Sequence, residues 1–362
     1  MKRKYWIAFS SIEQIDSKFI KTLYEYFGDI EKAFNSDLAE LKNIEGLSEK
    51  KARNFIEQRD KIDIDKTFAS VDTRGINFLT LEDENYPIML KNIDNPPAVL
   101  YYKGKLFECN LDKTIAIVGS RKASSSCRDN LRKIISGLKN TDICIVSGLA
   151  SGVDTVAHTS AIENNLKTIG VIASGFDFVY PTANKSLYAN IENGYGAIVT
   201  EYYPTFEPLK YRFPQRNRIV SGLSYGTFVA EASYKSGALI TANLTLEQGR
   251  ELMCMPGDIS NPNTEGIHKL LKNGASLVTE SSDILNSLGW EIKNAPPQKQ
   301  LTLPMLTSIE EKIYNCLEIE EKGIDELSGL TNINLEDLLM NLTTLELKGI
   351  IKQVNGDRYK RV

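Results

Sequence analysis

The sequence predicts an α/β fold: a doubly wound parallel sheet preceded by a small helical domain and followed by a second small domain. Three observations carry this. Six short apolar runs recur between residues 115 and 255, and stretches of helical character separate them. The turns after the early runs are rich in Gly, Ser and Asp, which suit strand-to-helix connections. Residues 1–68 lack that alternation and space their apolar residues three and four apart.

Taken in order, residues 1–68 read as helices broken at Gly28 and Gly46. Within them, "NIEGLSEKKARNFI" reads either as a helix-hairpin-helix element, whose glycine N–H can meet a DNA phosphate, or as a plain helical turn. The first domain is thus expected to be SAM- or helix-hairpin-helix-like. "NYPIMLKNIDNPPAVLYYKG" reads as a loop, since Pro87, Pro96 and Pro97 impose extended backbone. Strands are expected near 115–118, 143–146, 168–173, 196–200, 226–230 and 252–255. Helices are expected near 124–139, 154–165, 184–193, 215–222 and 240–250. That alternation implies a Rossmann-like parallel sheet covered on both faces, spanning 69–292. "KNAPPQKQLTLP", residues 293–304, reads as a linker. Residues 305–362 read as two or three helices and a hairpin turning at Asn355-Gly356, the order of a winged helix.

Bulk properties exclude several classes. The 362 residues carry no apolar run long enough for a membrane helix, and the start "MKRKYWIAFSSIEQI" is too quickly broken by polar residues for a signal peptide. Five cysteines, odd in number and never spaced C-x-x-C, imply free thiols and a cytoplasmic setting; Cys144 and Cys254 lie in apolar runs and should be buried. Only His158 and His268 are present, so a histidine metal cluster is not expected, and His158 is expected to pack a helix rather than act as a base. The net charge is −4, but residues from 302 onward hold 7 basic and 11 acidic side chains, and the first 301 hold 36 of each. A local basic groove is therefore compatible with the chain, whereas a general basic field is not.

Ligands of doubly wound sheets bind beyond the carboxyl ends of the strands. Three loops there suit anions: "VGSRKASSS" with Gly119, Ser120 and Arg121; "VSGLASGVD" with Gly148, Gly152 and a capping Asp154; and "ASGFDFVYPTAN" with Phe176, Phe178 and Tyr180. Their backbone N–H groups are expected to face a phosphate. None matches a dinucleotide or P-loop signature. "FPQRNRIVSGLS" follows, with Pro214 in the first turn of a helix and Gln215, Arg216, Asn217 and Arg218 behind it. One of the two arginines should pair with Glu201 or Glu231, leaving the other for ligand. "GLASG" misplaces its serine for a nucleophile elbow, and Glu231 is the best catalytic candidate, with a structural role as its alternative.

With these pieces assembled, the chain resembles the DNA-processing protein A (DprA/Smf) family of bacteria. The matching blocks include "AIVGSR", "SGLASGVDTVAHTSAI", "GFDFVYPTAN", "FPQRNRIVSGLS", "VAEASYKSGALITA" and "EGIHKLLKNGA", in order across 115–290. The resemblance implies a non-catalytic, cofactor-free homodimer. It would bind single-stranded DNA, protect it during natural transformation and load a RecA-type recombinase onto it. Gly119, Ser120, Arg121, Gly148, Gly152, Lys185, Gln215, Arg216, Asn217 and Arg218 are the residues placed on the DNA groove. Aromatics such as Phe176 or Phe213 are candidates for base stacking. Thr182, Thr205 and His268 depart from residues common in the family, and Thr182 in place of lysine thins the groove's charge. Glu336 and Asp337 would stand on the winged helix's recognition helix, which favours a protein-contact or structural role there. The alternative is a nucleotide phosphoribohydrolase using Glu231: "LSYGTFVAE" keeps Gly226, Thr227 and Glu231 of that group's P-G-G-x-G-T pattern without its paired glycines.

Overall fold

The strands between residues 114 and 277 hydrogen-bond to one another in parallel, as their sequences require. The computed structural model describes residues 2–290, 306–317, 321–354 and 356–361. Residues Met1–Lys293 form one compact unit and Asn294–Val362 a second. The linker expected at 293–304 and the turn residue Asn355 lie outside the described residues.

Six helices open the first unit: α1 (Arg3–Ser10), α2 (Ser17–Phe27), α3 (Ile30–Asn35), α4 (Leu38–Lys42), α5 (Glu49–Arg59) and α6 (Ile64–Asp72). Asp16, Asp29, Asp37, Ser48 and Asp63 each accept a backbone N–H at a helix start, which explains why so many short helices form in this stretch. Gly28 ends α2 in the left-handed region, at φ +64°. Trp6, Phe9, Phe34 and Phe55 are buried in one apolar cluster that continues into the sheet, so the boundary expected after residue 68 falls inside a shared core.

The loop expected at 85–104 contains structure. Helix α7 (Ile88–Lys91) stands between β1 (Asn77–Thr80) and β2 (Val99–Gly104), which pair antiparallel with each other, and β2 pairs antiparallel with β6. The three prolines all lie outside β2, so its N–H groups remain free to join the sheet. The remaining strands are β3 (Thr114–Gly119), β4 (Cys144–Ser147), β5 (Lys167–Val171), β6 (Gly196–Thr200), β7 (Gly226–Glu231), β8 (Glu251–Cys254) and β9 (Ser276–Leu277). Their order is β1-β2-β6-β5-β4-β3-β7-β8-β9, parallel from β6 to β9. The expected all-parallel sheet is therefore a mixed one, with an antiparallel pair added at one edge. Connecting helices are α8 (Ser125–Ser136), α9 (Val153–Glu163), α10 (Lys185–Asn190), α11 (Arg212–Gly222), α12 (Ala238–Glu247), α13 (Glu265–Lys272) and α14 (Ser281–Ser287).

Alternation along β3 shows why both sheet faces are covered. Ile115 and Ile117 enter one apolar cluster, whereas Ala116 and Val118 enter the other. Cys144 and Cys254 are buried free thiols, as expected. The second unit holds helices α15 (Ser308–Cys316), α16 (Ile324–Thr331) and α17 (Leu335–Leu347). A small antiparallel sheet joins β10 (Lys322–Gly323), β12 (Arg358–Arg361) and β11 (Ile351–Gln353) in that order. Among the described residues, no helix is long and apolar enough to cross a membrane.

Candidate nucleic-acid interface

Beyond the carboxyl ends of β3, β4 and β7 lies an open cleft of about 730 Å³. It is lined by six of the ten groove residues expected from sequence: Gly119, Ser120, Arg121, Gly148, Arg216 and Asn217. Gly152 lies behind it, at φ +83°, where a Cβ would stand 2.2 Å from the Ser120 carbonyl oxygen. Only glycine fits that crossing of two loops. Lys185 is exposed at the start of α10 and is not among the lining residues. Gln215 and Arg218 line a different cleft.

The split within α11 follows from helix geometry. Residues two apart on an α-helix point about 200° away from each other. Arg216 therefore turns inward under the large cleft, whereas Arg218 turns toward the N-terminal helices. Arg218 Nη1 and Nη2 donate to Glu201 Oε1 and Oε2, both at 2.6 Å, and its Nε donates to the Asn95 carbonyl at 2.9 Å. This is the expected internal ion pair, made by Arg218 with Glu201.

The companion expectation, a free Arg216, is not met. Arg216 is buried, and its Nη1 donates to the carbonyls of Gly148, at 2.6 Å, and Val171. Its guanidinium lies where a Cβ on Gly148 would be, 2.6 Å from Nη2, so Gly148 is what admits it. Burial pulls the Arg216 pKa down, against the charge of Asp154. Asp154 itself is pushed up by burial and drawn back by Arg216. Arg216 thus forms the floor of the cleft rather than a hand extended from it.

The loop amides are also mostly engaged internally. Ser120 N donates to Glu231 O at 2.7 Å, Val153 N to Ser120 O at 3.1 Å, and Ala150 N to Asp154 Oδ2 at 3.2 Å. Asp154 is not the cap of α9: Gly152 holds that position, and Asp154 reaches back into its own loop. A phosphate cradle built of these N–H groups is therefore not available. Positive charge comes from side chains instead. Arg121, Lys122 and Lys210 all line the cleft, all are exposed, and none forms an ion pair among the described residues. Arg121 lies over the Phe213 ring at 5.4 Å, and Phe213 meets Tyr180 edge-on at 5.4 Å. Phe176, offered as a stacking residue, packs against the core clusters instead. Lys122, Lys210 and Tyr180 complete the cleft; Tyr180 carried a signal as an aromatic in a glycine loop, whereas Lys210 carried none.

Glu231 and His158 are buried with internal partners. Glu231 is buried and accepts from Ser124 N at 3.2 Å and Ser124 Oγ at 2.5 Å, holding the loop that starts α8. His158 is fully buried against Thr168, with Nδ1 2.7 Å from Oγ1. Burial, then the charge of Arg216, push His158 down to about 3. An unfolded histidine titrates near ~6.5, so below that pH the unfolded chain takes up a proton that the folded chain refuses. Stability is then lost as pH falls from about 6.5, by about 2 kcal/mol at pH 5 from this group. Urea unfolding of the wild type and His158→Gln at pH 7.5 and pH 5 reads this, because their stability difference should shift by that amount.

The family model of DNA recombination-mediator protein A matches residues 77–289, more than half of the chain. The chain belongs to this family. Protein Smf of Synechocystis sp. is 31% identical over 394 aligned residues, covering 99% of both chains. DNA processing protein DprA of Streptococcus pneumoniae is 42% identical over 222 residues, 61% of this chain and 78% of that one. The X-ray structure of the pneumococcal DprA superposes with a TM-score of 0.69 at 36% identity, covering 78% of this chain and 95% of that one. DNA processing protein A of Helicobacter pylori, whose structure describes a single-stranded DNA binding mode, superposes at TM-score 0.53 and 29% identity, covering 59% and 95% of the two chains. Membership makes this protein a DNA-processing recombination mediator.

Proposed function

We propose that the protein binds single-stranded DNA in the large cleft, protects incoming strands during natural transformation and loads a RecA-type recombinase onto them. The observation that carries this reading is that three cations without ion-pair partners among the described residues, Arg121, Lys122 and Lys210, line the same cleft as the Tyr180–Phe213 aromatic pair, with Arg121 over the Phe213 ring. Unpaired cations hold phosphates of any sequence, and exposed rings stack any base. Gly119, Ser120, Gly148, Arg216 and Asn217 line the cleft with them, Gly152 supports the loop crossing behind it, and the exposed Lys185 and Gln215 are further candidates outside it. The role is non-catalytic and needs no cofactor: the carboxylate best placed for chemistry, Glu231, is occupied by Ser124.

The finer organisation belongs to the same proposal. Residues 1–68 act as the SAM- or helix-hairpin-helix-like domain, 69–292 as the DNA-binding domain and 305–362 as a winged helix. Support for the last comes from the order of three helices followed by the β11–β12 hairpin. The protein works as a homodimer in the cytoplasm. The free thiols support a reducing compartment.

The test is a series of gel shifts with single-stranded and blunt duplex DNA across salt. Single-strand binding should exceed duplex binding at equal salt and fall steeply as salt rises. Equal affinity for the two would defeat the reading.

A further inference from the structure

Helix α11 has a cleft on each side. The smaller, of about 390 Å³, lies between α11 and the N-terminal helices. Glu13, Tyr202, Phe206, Tyr211, Arg212 and Arg218 are among its walls. The ridge separating it from the large cleft is the first turn of α11 and the residues just before it. Lys210, Tyr211, Pro214 and Gln215 are all exposed there.

The two clefts differ in chemistry. The cations of the small cleft are already spent. Arg212 Nη2 donates to Glu13 Oε1 at 2.6 Å and Nη1 to the Glu207 carbonyl at 2.5 Å, with Tyr202 and Phe206 rings at 5.0 and 4.9 Å from the guanidinium. Arg218 is bound on both arms by Glu201. No free positive charge is left for a phosphate. What is left is an acceptor and a platform. Glu13 keeps its second carboxylate oxygen free, on a side chain 56% exposed, and Tyr211 is 52% exposed.

We propose that the small cleft is a nucleobase pocket that receives a base from a strand crossing the α11 ridge, and that it prefers bases bearing an exocyclic amino group. This rests on the reading of the large cleft as the single-strand site. Lys210 holds a backbone phosphate at the ridge, Tyr211 stacks the base, and Glu13 accepts from the amino group of cytosine, adenine or guanine. Thymine is disfavoured, since its one N–H lies between two carbonyl oxygens that repel a carboxylate. The volume lies within the range of small-ligand sites. A phosphate pocket is disfavoured by the same pairs, because an anion inserted beside the Glu13 and Glu201 carboxylates would meet their negative charge and find both arginines already engaged.

The experiment is fluorescence anisotropy of the full chain with labelled dC20 and dT20 at pH 8. The wild type should bind dC20 about tenfold more tightly than dT20. Tyr211→Ala should bring the two within about twofold while leaving dT20 affinity within about twofold of wild type. Glu13→Gln keeps an acceptor for Arg212 but turns a donor toward the cleft, so it should reverse the order and favour dT20. A structural role for Glu13 predicts no such reversal. Equal wild-type affinity for the two strands, or a preference unchanged in both variants, would overturn the pocket. Failure of the wild type to bind either strand would overturn the large-cleft reading on which it rests.

Discussion

Arg218→Ala lowers the unfolding free energy by about 3–5 kcal/mol, because it leaves the Glu201 carboxylate buried without its partner. The side chains of the pair are 13% and 9% exposed, and both guanidinium arms are engaged at 2.6 Å. Removing one member leaves a carboxylate that is only 9% exposed with the Ser17 hydroxyl as its remaining side-chain donor. The Asn95 carbonyl loses its donor as well. Chemical denaturation reads the loss. The double variant Arg218→Met, Glu201→Leu should recover most of it, since an apolar pair of similar size leaves no charge behind. A single variant within about 1 kcal/mol of wild type would mean that solvent reaches Glu201. Measured on the folded fraction, affinity for DNA held only in the large cleft should be unchanged, which separates Arg218 from the binding residues it adjoins in sequence.

Arg121→Ala, Lys122→Ala and Lys210→Ala together should flatten the salt dependence of single-strand binding. Each phosphate contact to a single strand contributes about 0.7 to the slope of log affinity against log salt, so three lost contacts reduce the slope by about 2. Affinity at low salt should fall by about two orders of magnitude. All three side chains are exposed and without ion-pair partners among the described residues, so the variant should fold as the wild type does. Thermal melting provides that control. An unchanged slope would remove these cations from the interface and move the site elsewhere on the chain.

Both outcomes invert the weight that the sequence places on the arginine motif. "FPQRNR" marks the right element, and its helix does form a wall of the cleft. Its two arginines nevertheless act in the fold. The helical period already separates their directions, but only the surroundings show that both directions lead to buried partners. The cations left for ligand come from loops, where Lys122 follows Arg121 without a periodic signal and Lys210 precedes α11 by two residues. Loop backbone is set by tertiary contacts, so neighbouring charges there have no direction that composition alone can supply.

The parallel strands and their helices were legible because burial on both faces demands continuous apolar runs, and glycine turns bound them. β1 and β2 were not. Their pairing is antiparallel and non-local, β2 to β6 across nearly a hundred residues, and prolines nearby argued for loop. The glycine loops expected to bind an anion do border the cleft, but several of the amides expected to donate are engaged internally. Gly148 and Gly152 are there so that a guanidinium and a carbonyl oxygen can approach closely, and most of the amides beside them are satisfied by Asp154 and neighbouring loops. By itself the sequence determined the α/β architecture, the rim on which the cleft opens and the family. These follow from periodicity, burial and motif, which are properties of residues near one another in the chain. Which charges are free and which are engaged was decided only in the folded molecule, because their partners lie far along the chain: Arg216 donates to the Gly148 carbonyl, 68 residues away, and Arg212 pairs with Glu13, 199 away. Such distances are closed by packing alone.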